Sequence, residues 1–197
     1  MKILLSLIHF TKNIIAYQLI KSSDCKNEIF DDLRRVNNDN SDKQITLKIF
    51  SDKISVNKCY NNMINQRMRK RNHFKSIILR IIFPLKKDME INDCTIGSGF
   101  ICYHGHGTVI CANRIGNNFS IWHGVTIGKN GSDKCPIIGD NVSIHTNALV
   151  AGDIIIGNNV EIGAGAIVLK DVPSNCIVIG NPARIIKEND VKVNKLL

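Results

Sequence analysis

Four of the six histidines, His104, His106, His123 and His145, fall in the second half of the chain, and two of them share the segment Tyr103-His-Gly-His-Gly-Thr108. Glycine beside an imidazole removes bulk, which suits a base that a ligand must approach closely. A second reading makes these histidines surface turns at the edge of a sheet. A third is a metal centre: His-x-His can seat a divalent ion, but no further ligand cluster completes a shell, and no metal is predicted. The seven cysteines, Cys25, Cys59, Cys94, Cys102, Cys111, Cys135 and Cys176, form no Cys-x-x-Cys pair and no zinc spacing. Their odd number and irregular gaps suit buried thiols in a reducing cytoplasm.

The elements that must hold these side chains have a period of their own. Ile138, Ile144, Val150, Ile156, Ile162 and Val168 stand six residues apart, as do Ile115, Ile121 and Ile127. Neither a helix nor a flat strand repeats at six, whereas a parallel β-helix that turns a corner after each short strand does. Glycine follows at Gly116, Gly128, Gly139, Gly157 and Gly163, where a missing Cβ relieves crowding and positive φ is tolerated. Three faces of six residues give a coil of eighteen, with coils stacked about 4.8 Å apart. Each inward Ile or Val contributes roughly 1.5–3 kcal/mol. The first coil is irregular: Ile96-Gly97 fits, but Cys102 and Thr108 are one residue out of phase with Ile115. The step from Ile127 to Ile138 is eleven, so Gly128–Pro136 is expected to bulge as a loop. The repeat ends near Val172-Pro173, and Gly180-Asn-Pro-Ala-Arg184 is expected to cap one end while N-terminal helices cap the other.

Charge divides the chain. Residues 1–88 carry 18 basic against 8 acidic side chains, and residues 89–197 carry 8 against 9. Residues 1–88 are predicted as a basic, mostly helical region, 89–186 as the β-helix and 187–197 as a tail. Within the first, 1–22 and about 57–83 read as helical, 36–44 as a polar linker, and Pro84 ends the second helical stretch. Arg67, Arg69, Lys70, Arg71, Lys75, Arg80, Lys86 and Lys87 alternate with Phe74, Ile77, Ile78, Leu79, Ile81, Ile82 and Phe83, with no acid among them. One reading is a helix packed on its neighbours with solvated charges; another is peripheral contact of 67–87 with an anionic membrane. No aromatic platform accompanies the charge, so nucleic acid is not expected as a partner. The apolar start, Ile3–Ile8, is interrupted by His9 and Lys12, and no stretch is long enough to span a bilayer.

Six segments together are more specific than the period: Thr95-Ile-Gly-Ser-Gly99, His104-Gly-His-Gly-Thr-Val-Ile110, Ile115-Gly-Asn-Asn-Phe-Ser-Ile121, Gly124-Val-Thr-Ile-Gly128, Pro136-Ile-Ile-Gly-Asp140 and Gly180-Asn-Pro-Ala-Arg184. Through them, residues 90–186 resemble the serine acetyltransferase family of hexapeptide-repeat acyltransferases. The resemblance implies a mainly β fold, a left-handed parallel β-helix of hexapeptide repeats behind an N-terminal α-helical region. It implies direct acetyl transfer from acetyl-CoA to a hydroxyl, with His104 as general base. The family's base is oriented by a carboxylate about fifteen residues earlier; Glu90 matches best, with Asp88 in reserve. It also implies a homotrimer, with CoA in the groove between subunits along Gly128, Thr146, Ala164, Pro182, Ala183 and Arg184.

The departures gather at the acceptor. Tyr103 stands where family members often carry Asp ahead of the histidine, and Lys134-Cys135 where many carry Arg-His before the loop proline. Tyr103, His106, Lys134 and Cys135 are therefore the expected acceptor-binding residues, and the phase slip leaves open whether His106 takes the place of His104 as base. His145-Thr-Asn-Ala148 replaces a Gly-Ala-Gly-Ala motif on the CoA side. The nominal acceptor is L-serine, in cytoplasmic cysteine biosynthesis. Two alternatives remain: a sugar or nucleotide-sugar hydroxyl in surface-polysaccharide synthesis, and a non-catalytic β-helix that serves in assembly.

Overall fold

The computed structural model describes residues 2–36, 45–56, 58–92, 94–131 and 133–197. The linker expected over 36–44 lies, apart from Val36, outside them. The chain forms two compact units, Met1–Lys86 and Lys87–Leu197.

The first unit is helical: α1 (Lys2–Lys21), α2 (Lys26–Arg35), α3 (Leu47–Val56), α4 (Cys59–Arg71) and α5 (His73–Ile82). The stretch expected as one helix over 57–83 is two, broken at Asn72 (φ −138°, ψ 56°). α5 stops two residues before Pro84, whose ring disfavours helical backbone just ahead of it. α2 and α3 lie outside the two expected helical stretches. α2 hides its period because its buried face carries Asp32 beside Ile29, Phe30 and Leu33. That carboxylate accepts both arms of Arg67, at 3.0 and 2.9 Å, and each side chain is only 4% exposed. Pairing of this kind is what lets two charges lie in a core.

The second unit has sixteen short strands among the described residues, β1 to β16 in chain order, of which β1 to β14 form a parallel β-helix. One sheet stacks β1 (Met89–Ile91), β4 (Thr108–Ile110), β7 (Thr126–Gly128), β10 (Leu149–Ala151) and β13 (Ile167–Val168). A second stacks β2 (Thr95–Ile96), β5 (Arg114–Ile115), β8 (Ile137–Ile138) and β11 (Ile155–Ile156). The third stacks β3 (Ile101–Cys102), β6 (Ser120–Ile121), β9 (Ser143–Ile144), β12 (Glu161–Ile162) and β14 (Cys176–Ile179). The antiparallel strands β15 (Arg184–Glu188) and β16 (Val191–Leu196) extend that third sheet. The chain thus visits the three faces in turn, once per coil.

The core follows the six-residue period. Ile115, Ile121, Ile127, Ile138, Ile144, Val150, Ile156, Ile162 and Val168 are all buried, and so are residues two positions earlier: Phe119, Val125, Val142, Ala148, Ile154, Val160 and Ala166. At Gly116 and Gly139 the glycine after the corner residue is required by stacking, not by φ. A Cβ on Gly116 would lie 2.6 Å from the carbonyl carbon of Gly139, and one on Gly139 would lie 2.8 Å from that of Gly157. The positive φ falls two residues further on, at Asn118, Asn141, Asn159 and Asn175. Their side-chain amides form a ladder up the corner, each donating to the next at 2.8–3.1 Å and ending on Asn189.

Register resolves the irregular first coil. Ile91 pairs with Ile110, Ile96 with Ile115 and Cys102 with Ile121. Ile110, not Thr108, then takes the corner position beside Ile127. Eight residues therefore separate Cys102 from Ile110 where six are usual, and the surplus is the histidine turn.

Candidate active site

The turn joins β3 to β4 and has an unusual backbone. His104 has φ 65°, Gly105 57° and Gly107 61°. A left-handed conformation costs a residue with a Cβ about 1–2 kcal/mol, so a histidine held there by its neighbours points to function. The holding bonds are Tyr103 N–H to Ile121 O at 2.8 Å, Gly107 N–H to Asp88 O at 2.8 Å and Gly124 N–H to His106 O at 2.7 Å.

His104 is exposed, and its ring lies edge-on to His123 with centroids 6.2 Å apart. The carboxylate brought to this turn is Asp88, and the imidazole it meets is His106: Asp88 Oδ2 lies 2.9 Å from His106 Nδ1. Glu90, the expected partner of His104, lies on β1 opposite Val109 with its side chain exposed. A carboxylate on Nδ1 favours the tautomer whose Nε2 lone pair is available as an acceptor.

Beneath the turn runs an aromatic stack. Tyr103 lies on Trp122 (centroids 4.6 Å, 24°) and Trp122 on His145 (4.3 Å, 22°), while His145 Nε2 meets Glu161 Oε1 at 3.0 Å. Trp122 carries a signal in the sequence, because Trp122-His123-Gly124 repeats Tyr103-His104-Gly105 one coil on. The Nδ1 of His123 is buried and makes no hydrogen bond among the described residues. Register puts His104, His123, Thr146 and Ala164 in one row, each two residues past the paired Cys102, Ile121, Ile144 and Ile162. The expected base thus shares a corner with two of the expected CoA contacts. Thr146 is half-exposed and Ala164 exposed, so the row passes from two imidazoles to two small side chains.

The other expected residues sit elsewhere on the unit. Gly128 ends β7, and the loop after it, carrying Lys134 and Cys135, leads into β8. That corner lies across the first sheet from the corner of His104. A Cβ on Gly128 would meet nothing within 4 Å, so open space lies over it. Lys134 Nζ is held by Asp153 Oδ2 at 2.9 Å, and this bond raises its pKa. Cys135 is buried with its Sγ 2.9 Å from that of Cys111. Burial, then the neighbouring Cys111 thiol, pushes the Cys135 thiol up to about 11. Pro182 is exposed and Ala183 buried ahead of β15, and Arg184 donates from Nε to Asn194 Oδ1 at 2.6 Å.

Residues 135–170 match the bacterial transferase hexapeptide (six repeats) family. The serine acetyltransferase of Staphylococcus xylosus is 34% identical over 175 residues, 85% of this chain and 80% of that protein. The chain belongs to the serine acetyltransferase family. An Escherichia coli protein named as a colanic acid biosynthesis acetyltransferase, WcaB, is 48% identical over 113 residues, 55% of this chain and 70% of its own length. Among solved structures, the serine acetyltransferase of Brucella abortus strain S19 in complex with coenzyme A superposes with a TM-score of 0.67 at 27% identity, over 87% of this chain and 71% of that one. The parallel β-helix with its helical N-terminal unit is thus the architecture of a hexapeptide-repeat acyltransferase.

Proposed function

We propose that the protein is an acetyl-CoA-dependent O-acetyltransferase with L-serine as its nominal acceptor and His104 as its general base. The observation that carries the reading is a strained, exposed His104 in one row with His123, Thr146 and Ala164, in a chain of the serine acetyltransferase family. The relative from Brucella abortus binds coenzyme A, which supports acetyl-CoA as donor.

A neutral alcohol is a weak nucleophile near pH 7, and an imidazole of ordinary pKa about 6.5 takes its proton as attack proceeds. The acceptor oxygen bonds to the thioester carbonyl carbon while its proton passes to His104. The tetrahedral intermediate collapses, the carbon–sulfur bond breaks, and the His104 proton goes to the departing thiol. Asp88 holds His106, read here as an acceptor-binding residue, and Glu90 is kept as the carboxylate that would orient His104, with Asp88 in reserve. The pantetheine arm runs along Thr146 and Ala164 of one subunit and Gly128 of its neighbour, with Pro182, Ala183 and Arg184 beyond them.

The division of the site between two corners supports a homotrimer. In one subunit His104 and the Lys134–Cys135 loop lie across a sheet from each other; a three-fold arrangement sets one subunit's loop against the next subunit's turn. With serine as acceptor the reaction belongs to cysteine biosynthesis, and seven free thiols suit the cytoplasm. A second reading, a sugar hydroxyl, is favoured by Tyr103 on the Trp122–His145 stack and by the relative named for colanic acid. Thiol release from acetyl-CoA, with serine compared against sugars and nucleotide sugars, separates the two. His104→Ala should abolish release with whichever acceptor is used; undiminished release would remove His104 from the chemistry.

A further inference from the structure

The basic segment of the helical unit divides in two. On α4, Arg67 is buried on Asp32 and Arg71 meets Glu28 at 2.9 Å, while Lys70 is exposed. α5 is different, for it buries only Ser76 and Leu79 and turns its largest apolar side chains outward. Phe74 is 76% exposed, Ile77 43% and Ile81 75%. The spacing 74, 77, 81 puts the three on one stripe of the helix. His73 and Arg80 are exposed on one flank of the stripe and Lys75 is half-exposed on the other, with Lys70 exposed nearby in the chain. No Asp or Glu occurs between Asp52 and Asp88. α1, which packs against α5, adds a second uncovered stretch: residues 7–12 are all exposed, including Leu7, Phe10 and Lys12, and no acid precedes Asp24.

We propose that the outward face of α5, with residues 7–12 of α1, docks on the anionic surface of a phospholipid bilayer, Phe74, Ile77 and Ile81 entering the headgroup–acyl boundary and Arg80 and Lys70 meeting lipid phosphates. Charge decides the occupant. The same face of a second copy would bring like charges together, and a nucleic acid would satisfy the cations without covering Phe74 or Ile81. An anionic bilayer satisfies both. The contact is peripheral, since no helix among the described residues is long and apolar enough to cross a membrane. It is independent of the identity of the acceptor.

The test is co-sedimentation of the full chain with vesicles of phosphatidylcholine alone and of phosphatidylcholine mixed with phosphatidylglycerol. Retention is expected only on the mixed vesicles and should weaken as salt rises. Lys70→Gln and Arg80→Gln should each lower partitioning about fivefold. Phe74→Ser with Ile81→Ser should lower it roughly tenfold or more, leaving the acetyl-transfer rate and the light-scattering mass unchanged. No retention on mixed vesicles, or retention indifferent to both kinds of variant, would overturn the proposal. So would a fall in assembly mass with Phe74→Ser and Ile81→Ser, which would assign the face to a second copy. Tighter binding to duplex DNA than to the vesicles would assign it to nucleic acid.

Discussion

His104→Ala should lower turnover by about 10²–10⁴-fold with little change in the Kd for acetyl-CoA, because the imidazole acts on the acceptor proton. Steady-state kinetics with calorimetric CoA binding checks both halves. His106→Ala and Asp88→Asn should act together, raising the acceptor KM more than they lower kcat; equal losses in kcat for His106→Ala and His104→Ala would make His106 the base. Cys135 makes a pH prediction. Its thiol is raised to about 11 by burial, so the folded state holds a proton that the unfolded chain releases above its ordinary pKa near 9. Stability from this group is therefore complete below about pH 9 and falls as pH rises toward 11. Denaturant titrations at pH 8 and pH 10.5 should show a larger loss in the native protein than in Cys135→Ala, where the buried Cys25 and Cys176 thiols, also raised, still contribute. At this scale the histidine turn was legible from its glycines, but the contact between Asp88 and His106 was not. It depends on two surplus residues between Cys102 and Ile110, and a phase slip in sequence does not say which carboxylate they bring round.

The coil is where sequence and structure agree most closely, since a six-residue step leaves an aliphatic residue at every corner whatever the polar residues between. Ile144→Ala should cost about 2–5 kcal/mol, as expected for a fully buried aliphatic at a stacked position. Gly139→Ala should also destabilise, although it adds a single methyl, because that carbon would press on the backbone of the next coil. Chemical denaturation measures both. The helical unit was less legible. α2 sets Asp32 on its buried face, and a charged residue inside breaks the apolar period by which a helix is recognised; only the partner Arg67, 35 residues on, makes it intelligible. Arg67→Ala should cost about 3–5 kcal/mol, because it strands that carboxylate in the core.

For the whole molecule, the proposed sharing of the site between subunits follows from the separation of His104 from the Lys134–Cys135 loop, and it makes two predictions. Light scattering should give about three times the 22.0 kDa of one chain. Mixing an inactive His104→Ala protein with an inactive variant of the 134–135 loop, under conditions that exchange subunits, should restore part of the activity, since some interfaces then combine an intact turn with an intact loop. Which corner each motif occupies was not legible in the sequence, because it depends on the register of the coils. The central claim is acetyl transfer itself, and thiol release from acetyl-CoA by the purified protein, with L-serine and with a panel of sugars and nucleotide sugars, tests it most directly. The account predicts saturable release with an acceptor hydroxyl, serine first among them, and loss of that release in His104→Ala; absence of both release and acetyl-CoA binding would contradict it.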